Sequence, residues 1–334
     1  MVEDLNVSPI GRKLGRALPR RRLGRSELRV PIFALGGYPL GQDDVTDGQA
    51  VEAIRYAVDQ GIDYFDTSPG YGESERRYGL ALEGVDRGAI TISTKTGTHP
   101  DRRADYSWDA TMWSVENSLR LLKTDYIDLL LVHDPPSRDG DGMQPIFAER
   151  GALPALEELK AQGVIRAIGL GQKRFDYHRR AIESGRFDVI LTFNNYHPLD
   201  ISAADWLLPL AERHDVGVLN GAVMAHGLLT GQDPDDIAAQ SPLGHRAALL
   251  PDACKLHAWC REREIPMPAI IFQFSMRQSL IHCTLTGVRT RAEMEENLRG
   301  ATMPLPDDIW GELAELGITQ SRYDGQPDSV KPPA

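Results

Sequence analysis

"IDYFDTSPGYGESERRYG" (62–79) begins as a short apolar run, stops at Asp66, and passes through Pro69, Gly70 and Gly72 into a polar, helix-compatible segment. A short apolar run bounded by breakers reads as a buried strand, with the carboxylate placed where the chain leaves the sheet. The same grammar recurs. "PIFALGG" (31–37), "AITISTK" (89–95), "YIDLLLVHD" (126–134), "VIRAIGLG" (164–171), "FDVILTF" (187–193), "VGVLNGA" (216–222) and "IHCTLTG" (281–287) are further runs, and amphipathic segments of helical period lie between them, among them 47–61, 108–123 and 153–163. The runs are apolar throughout rather than alternating, as parallel strands covered on both faces are. Eight such βα units favour a closed (β/α)8 TIM barrel over a doubly wound sheet, which needs fewer strands and a nucleotide crevice at its switch point.

Ahead of the first run, "RRLGRSELRV" (21–30) reads as a β-hairpin turning at Gly24 and Arg25, a plug for the barrel's N-terminal mouth. Residues 221–250 have weak periodicity and many breakers, so a long loop is expected on the C-terminal face. The expected division is a basic N-terminal arm over 1–21, one barrel domain over 22–317 that ends in a helix near 306–317, and a loosely ordered tail over 318–334. Arg12, Lys13, Arg16, Arg20, Arg21, Arg22, Arg25 and Arg29 crowd the start and read as a solvated, frayed arm.

The chain has 334 residues and a net charge of −11, which argues against nucleic acid or an anionic membrane as the main partner. It shows no secretory h-region and no run of apolar residues long enough to span a bilayer, so a cytoplasmic protein is expected. Three cysteines, Cys254, Cys260 and Cys283, without a C-x-x-C pair suit reduced core thiols; no metal site is expected. No helix face reads as an oligomer seam, which leaves the oligomeric state open.

In a barrel of this kind chemistry sits at the C-terminal ends of the strands. Asp66, Lys95 and His133 end three successive runs, and Tyr71 follows in the loop after the first of them. Neighbouring parallel strands are about 4.8 Å apart, so these side chains converge on one small volume. A free phenol, with a pKa near 10, carries protons poorly at neutral pH; a lysine ammonium beside it is expected to favour the phenolate and lower that value. Asp66 would hold the lysine charged, and a neutral His133 would hydrogen-bond the reacting oxygen. Each residue alone has a plainer reading, as a salt bridge, a core histidine or a loop aromatic, but the joint spacing favours a catalytic group.

"GIDYFDTSPGYGESERRYGLAL" (61–82) closely resembles the first signature of the aldo-keto reductase superfamily, with Asp66 and Tyr71 on its catalytic pair; "STKTG" (93–97) supplies its lysine and "LVHDP" (131–135) its histidine. The similarity runs from about Arg22 to about Ile318. It implies a (β/α)8 barrel without a Rossmann unit, in which the tyrosine shuttles a proton while a nicotinamide cofactor exchanges hydride. It also implies a cofactor site: Gly36, Gly37 and Asp66 near the first two strand ends, Gln172 on the carboxamide, Phe193 and Gly221 beside the ring, and Ala222, Met224, Gly227 and Leu228 in a loop over the pyrophosphate. "GLGQKR" (169–174) only mimics a G-x-G-x-x-G loop, since Arg174 replaces its third glycine. Gln172 and Phe193 also have plain readings, as a loop glutamine and a barrel phenylalanine.

"TGVRTRAEMEEN" (286–297) resembles the family's second cofactor signature, a strand end and helix that grip the adenosine end through Gly287, Val288, Arg289, Glu293, Glu296 and Asn297. Backbone N–H groups at a helix start favour a phosphate, which makes 287–290 the expected cradle. Where the NADPH-gripping pattern has lysine this chain has Gly287, and where it has arginine this chain has Glu293. A carboxylate suits a ribose hydroxyl and repels a 2′-phosphate, so NAD is the expected cofactor, with NADP as the alternative through Arg289. Gly221 is a second departure, since many family members carry a stacking aromatic there.

These departures resemble the branch containing D-threo-aldose (L-fucose) 1-dehydrogenases, L-galactose dehydrogenases and pyridoxal 4-dehydrogenase. The resemblance implies oxidation of an aldose at C1 to the lactone, with hydride passed to NAD(P)+. A hydroxyl-rich substrate needs several polar partners. Besides Tyr71 and His133, Tyr38, Trp108, Asn194, Asn195 and His197 lie on loops that would supply them, although Trp108 also reads as a helix-start packing residue and Asn195 as a turn former. The alternatives are an NADPH-dependent reductase of aldehydes or ketones, a pyridoxal 4-dehydrogenase-like enzyme, and a non-catalytic nucleotide-sensing subunit, against which the intact tetrad speaks.

Overall fold

The structure, a computed structural model, describes residues 15, 18–136, 141–240 and 242–322. Arg12, Lys13 and Arg16 of the expected arm, and the tail from 323 to 334, lie outside the described residues. A short antiparallel hairpin, β1 (Arg20–Arg22) and β2 (Arg29–Pro31), precedes eight parallel strands. These are β3 (Phe33–Gly36), β4 (Tyr64–Asp66), β5 (Thr91–Thr96), β6 (Ile127–His133), β7 (Ile165–Gly171), β8 (Val189–Phe193), β9 (Gly217–Gly221) and β10 (Cys283–Gly287), and they close into a barrel in chain order, with β10 pairing β3. Each of the eight apolar runs is a barrel strand.

The helices between them are α1 (Asp47–Gln60), α2 (Ser74–Ala81), α3 (Trp108–Leu122), α4 (Gln144–Phe147), α5 (Ala152–Ala161), α6 (Phe175–Glu183), α7 (Leu207–Arg213), α8 (Pro234–Gln240), α9 (Leu250–Glu262) and α10 (Met267–Arg277), followed by α11 (Arg291–Thr302) and α12 (Ile309–Glu315). The caps are local chemistry: Thr46 and Gln49 form a capping box at α1, which ends at Gly61 in the left-handed region. The segment expected as one long loop, 221–250, contains α8. Its acidic first turn, Asp235 and Asp236, favours a helix N-terminus that too few apolar residues mark in the sequence.

Strand side chains alternate between two faces. On β6, Leu129 and Leu131 point into the barrel and pack with Ala34, Tyr64, Ala167, Val189, Leu191, Leu219, Cys283 and Leu285, whereas Leu130 and Val132 point outward under the surrounding helices. The interior is therefore a filled core, closed from below by Leu23 and Val30 of the hairpin. The same alternation carries the inward face one step further to Asp66, Lys95, His133, Phe193, Gly221 and Gly287. These form the uppermost layer of the barrel.

The hairpin connection spans four residues, 24–27, rather than turning at Gly24 and Arg25 alone: Leu23 N–H donates to Leu28 O at 2.7 Å. Gly24 is required there, since it has φ +53° and a Cβ would come within 2.2 Å of Gly217 N. Arg20, Arg21, Arg22 and Arg25 are pinned rather than frayed. Arg21 donates to Gln278 O and Met276 O, both at 2.8 Å, and to Ile281 O, so its guanidinium caps the C-terminal end of α10. No helix among the described residues is long and apolar enough to cross a membrane.

Candidate active site

Asp66 closes β4, Lys95 sits one residue from the end of β5 and His133 closes β6, and the structure brings all three together with Tyr71. The Lys95 ammonium is fully buried and donates to Asp66 Oδ2 at 2.8 Å and Thr67 O at 2.6 Å. Ser93, two residues before Lys95 on the same inward face, donates to Asp66 Oδ1 at 2.7 Å, so both carboxylate oxygens are fixed. Burial works against the charge on Lys95, but Asp66 and Tyr71 outweigh it and hold the amine above its usual range.

Tyr71 stands between two rings and a charge. Lys95 Nζ lies 4.6 Å from its ring centroid, and His133 and Tyr38 meet it edge to face at 5.6 and 5.3 Å. Here one sequence expectation needs correction. Burial pushes the Tyr71 phenol up, to about 12; Lys95 pulls against that rise, and Asp66 adds to it. The lysine is present as expected, but it moderates an upward shift instead of producing a downward one.

Burial first, and the nearby Lys95 charge second, hold His133 well below the usual imidazole range, so the ring is neutral as expected. Its Nδ1 faces two hydroxyls, Thr98 Oγ1 at 2.9 Å and Ser68 Oγ at 3.2 Å, while Nε2 faces the carboxylate of Asp134 at 3.4 Å. A carboxylate only accepts, and hydroxyls can donate, which assigns the proton to Nε2 and the lone pair to Nδ1. Tyr106 Oη donates to the carbonyls of both His133 and Asp134, at 2.7 and 2.9 Å, and locks this turn. Sequence reasoning missed Ser68, Ser93, Thr98, Tyr106 and Asp134 as supporting groups. Only Ser93 carries a sequence signal, its strand spacing from Lys95.

A nicotinamide dinucleotide fits the residues around this centre. Asn194, at φ +60° after β8, and Asn195 are buried with side-chain oxygens that have no partner, beside Phe193 and Gly221, which pair across β8 and β9. Unpaired buried acceptors suit a carboxamide N–H2. Gln172 is close by but engaged: its amide donates to Pro135 O at 3.1 Å and accepts from Lys173 N at 2.6 Å. Asn195 also donates to Lys173 O and Thr192 Oγ1. Gly37 N–H donates to Asp66 O at 2.7 Å, which ties the end of β3 to the tetrad, and Gly36 ends that strand.

After β9, Ala222, Ala225, His226 and Gly227 all have positive φ, giving a tight turn braced by Ala225 N–H to Ala222 O and Gly227 N–H to Met224 O. Leu228 is core, so this residue has only backbone to offer a ligand; Met224 is half-buried. At β10, a Cβ on Gly287 would lie 2.7 Å from the ring of Pro39, so the lysine of the NADPH-gripping pattern has no room here. Glu293 does more than face a ribose: it accepts from Arg289 N–H at 2.8 Å, while Thr290 caps Glu293 N–H. Asp44 sits 3.5 Å from the Arg289 guanidinium. Asp44 thus faces the Arg289 guanidinium, and Glu293 adds a second carboxylate at the Arg289 backbone, where a 2′-phosphate would meet both. Val288 is core, Asn297 donates to Thr286 Oγ1 at 3.0 Å, and Glu296 is exposed.

Of the expected substrate residues, Tyr38 is exposed at the mouth against Tyr71. Trp108 packs beneath the Arg150 guanidinium at 5.5 Å, and among the described residues no ring contact or hydrogen bond links it to the tetrad. His197 is fully buried, with a pKa driven down to about 3 by burial and by the charges of Lys173, Arg322 and His226.

The Aldo/keto reductase family profile matches residues 33–318. The chain is 31% identical over 323 residues to a D-threo-aldose 1-dehydrogenase of Pseudomonas sp, covering 87% of this chain and 95% of that protein. It is 32% identical over 309 residues to an L-galactose dehydrogenase of Arabidopsis thaliana, covering 90% of each. The holo form of an aldo-keto reductase from Bacillus halodurans superposes with a TM-score of 0.72 at 24% identity, covering 92% of this chain and 99% of that one.

Proposed function

This chain belongs to the Aldo/keto reductase family, a family of oxidoreductases that use nicotinamide cofactors, and we propose that its reaction is the oxidation of an aldose at C1 to the lactone, with NAD+ preferred over NADP+. The observation that carries the reading is the placement of Tyr71 between the buried Lys95 ammonium and the His133 ring. The nicotinamide, when bound, supplies the hydride acceptor. His133 donates its Nε2 proton to an oxygen of the reacting centre and orients it. Tyr71 takes the proton of the C1 hydroxyl, and Lys95, fixed by Asp66 and Thr67 O, stabilises the phenolate character that this requires. The Asp66–Ser93 pair keeps the ammonium from swinging toward solvent. Likeness to D-threo-aldose and L-galactose dehydrogenases supports the substrate class, and the Glu293 and Asp44 carboxylates around Arg289 support NAD+.

The test is purified protein with NAD+ or NADP+ and a panel of pentoses, hexoses, 6-deoxysugars and pyridoxal, following nicotinamide reduction. Aldose oxidation faster with NAD+ is expected. Brisk NADPH-dependent reduction of simple aldehydes with no response to any sugar would replace this reading with that of a carbonyl reductase.

A further inference from the structure

Two carboxylates stand beside the reacting residues, and only one of them is committed. Asp66 is saturated by Lys95 and Ser93. Asp134, directly after His133, has no lysine or arginine ion-paired with it among the described residues; its one close polar neighbour there is the His133 imidazole, with Oδ2 3.4 Å from Nε2. Close to half of its side chain, 46%, is open at the mouth.

The backbone at Asp134 is held in an unfavourable place. Its φ is +43°, in the left-handed region that a non-glycine residue avoids. The conformation is imposed from three sides: Asp134 N–H donates to Gly171 O at 2.9 Å, and Tyr106 Oη bridges the carbonyls of His133 and Asp134. That strain turns the carboxylate back over the histidine. Burial raises its carboxyl to about 6, with the Lys95 charge opposing, so it is ionised at neutral pH. In the free site Nε2–H faces Oδ2 across 3.4 Å, a long contact that a bound substrate can replace by taking the Nε2 proton on one oxygen and giving a hydroxyl proton to Oδ2 from another.

We propose that Asp134 reads the substrate: its carboxylate accepts a hydrogen bond from the hydroxyl on the carbon next to the reacting one, while His133 Nε2–H donates to the reacting oxygen. A polyhydroxylated substrate satisfies both groups at once. A substrate lacking that neighbouring hydroxyl leaves a carboxylate desolvated and unpaired, and a site built around such a hydrogen bond discriminates strongly against it. The inference rests on the reading of this site as one for hydroxyl-rich substrates, and it names the side chain that makes it so.

The test compares glyceraldehyde with propanal, both reduced with NADH, in the parent enzyme and in Asp134→Asn and Asp134→Gly. Asn tolerates positive φ and keeps the shape without the charge; Gly takes that φ freely and removes the side chain. The readout is the ratio of kcat/KM for the two aldehydes within each protein, in which any loss of folded enzyme cancels. The parent should prefer glyceraldehyde; the glycine variant should lower that preference by about ten-fold or more, as loss of a hydrogen bond to a charged group does, and the asparagine variant, whose amide oxygen still accepts, should lower it less. An unchanged ratio in the glycine variant overturns the inference. Failure of the aldose reading is distinguishable: an enzyme that oxidises no sugar yet shows the ratio effect keeps Asp134 as the hydroxyl reader, whereas one that oxidises sugars with an unmoved ratio loses only this assignment.

Discussion

Replacing Lys95 by methionine tests the centre of the mechanism, because the structure allows two separate magnitudes to be worked out. The first concerns stability. Lys95 is fully buried and donates to Asp66 and Thr67 O, so its removal leaves a buried carboxylate held only by Ser93 and a carbonyl without a partner. Breaking a buried pair by deleting one member costs about 3–5 kcal/mol. For a chain of this size that is a fall in Tm of about 5–15 °C. The second concerns chemistry. The ammonium lies 4.6 Å from the Tyr71 ring centroid, and at an effective dielectric of about 20 a charge pair at that separation is worth roughly 3.6 kcal/mol. With burial already pushing the phenol to about 12, losing that attraction should slow turnover by a few hundred-fold, about 400 if the whole of it is expressed in the transition state.

The two effects separate in the double variant Asp66→Leu with Lys95→Met. Replacing both charges by apolar groups should restore most of the lost Tm, since no ion is then left buried alone. It should restore none of the turnover. Thermal melts and saturating kcat for aldose oxidation provide the assay, with NAD+ binding by fluorescence as the check that the site is intact. Because the phenol rests protonated at neutral pH, the parent's oxidation rate should also climb steadily with pH through the neutral range and into the alkaline. A Lys95→Met protein that melts near the parent, or that turns over within ten-fold of it, would refute the reasoning.

Two further outcomes follow from groups outside the tetrad. Burial drives His178 down to about 4, while its Nε2–H donates to Gln172 O at 2.7 Å. The unfolded chain then binds a proton near pH 6.5 that the folded one refuses until about 4, so stability falls as pH drops across that window, by roughly 3 kcal/mol from this residue. Melts of His178→Gln between pH 7 and 4 should show a shallower decline than the parent, and parallel curves would contradict the assignment. Glu293→Gln keeps an acceptor for Arg289 N–H but removes the negative charge there; the kcat/KM ratio of NADP+ to NAD+ should rise about three- to five-fold, the scale of an exposed charge interaction, and a constant ratio would remove Glu293 from cofactor choice.

The barrel was legible because each strand declares itself twice, by an apolar run and by the breaker that ends it. Asp66, Lys95 and His133 were legible for the same reason: they continue the inward face that Tyr64, Ser93 and Leu131 occupy one step earlier. The supporting groups were not. Ser68, Thr98 and Tyr106 reach His133 only after the loops from two strand ends close over it, and nothing in their spacing announces that meeting. Gly287 shows the same limit from the other side. In sequence it is a missing lysine; in the fold it is the space that the Pro39 ring fills, so the loss of a phosphate-gripping side chain and the packing of the first βα loop are one event.

The sign of the Tyr71 shift is the deepest case, because it depends on a difference between two large effects that one arrangement creates together. The strand ends that bring Lys95 within 4.6 Å of the ring also wall the phenol in with Tyr38 and His133, so the charge that favours the phenolate cannot be had without the burial that disfavours it. Sequence names the charge and is silent on the burial. That balance also fits the proposed direction of reaction: a phenol resting at about 12 keeps its proton in the free site, and an oxidised nicotinamide held there would add a positive charge that favours the phenolate, which a reduced one would not. On this reasoning Tyr71 would become a competent base in the complex that is ready to accept hydride, while the tetrad alone keeps the phenol protonated at neutral pH.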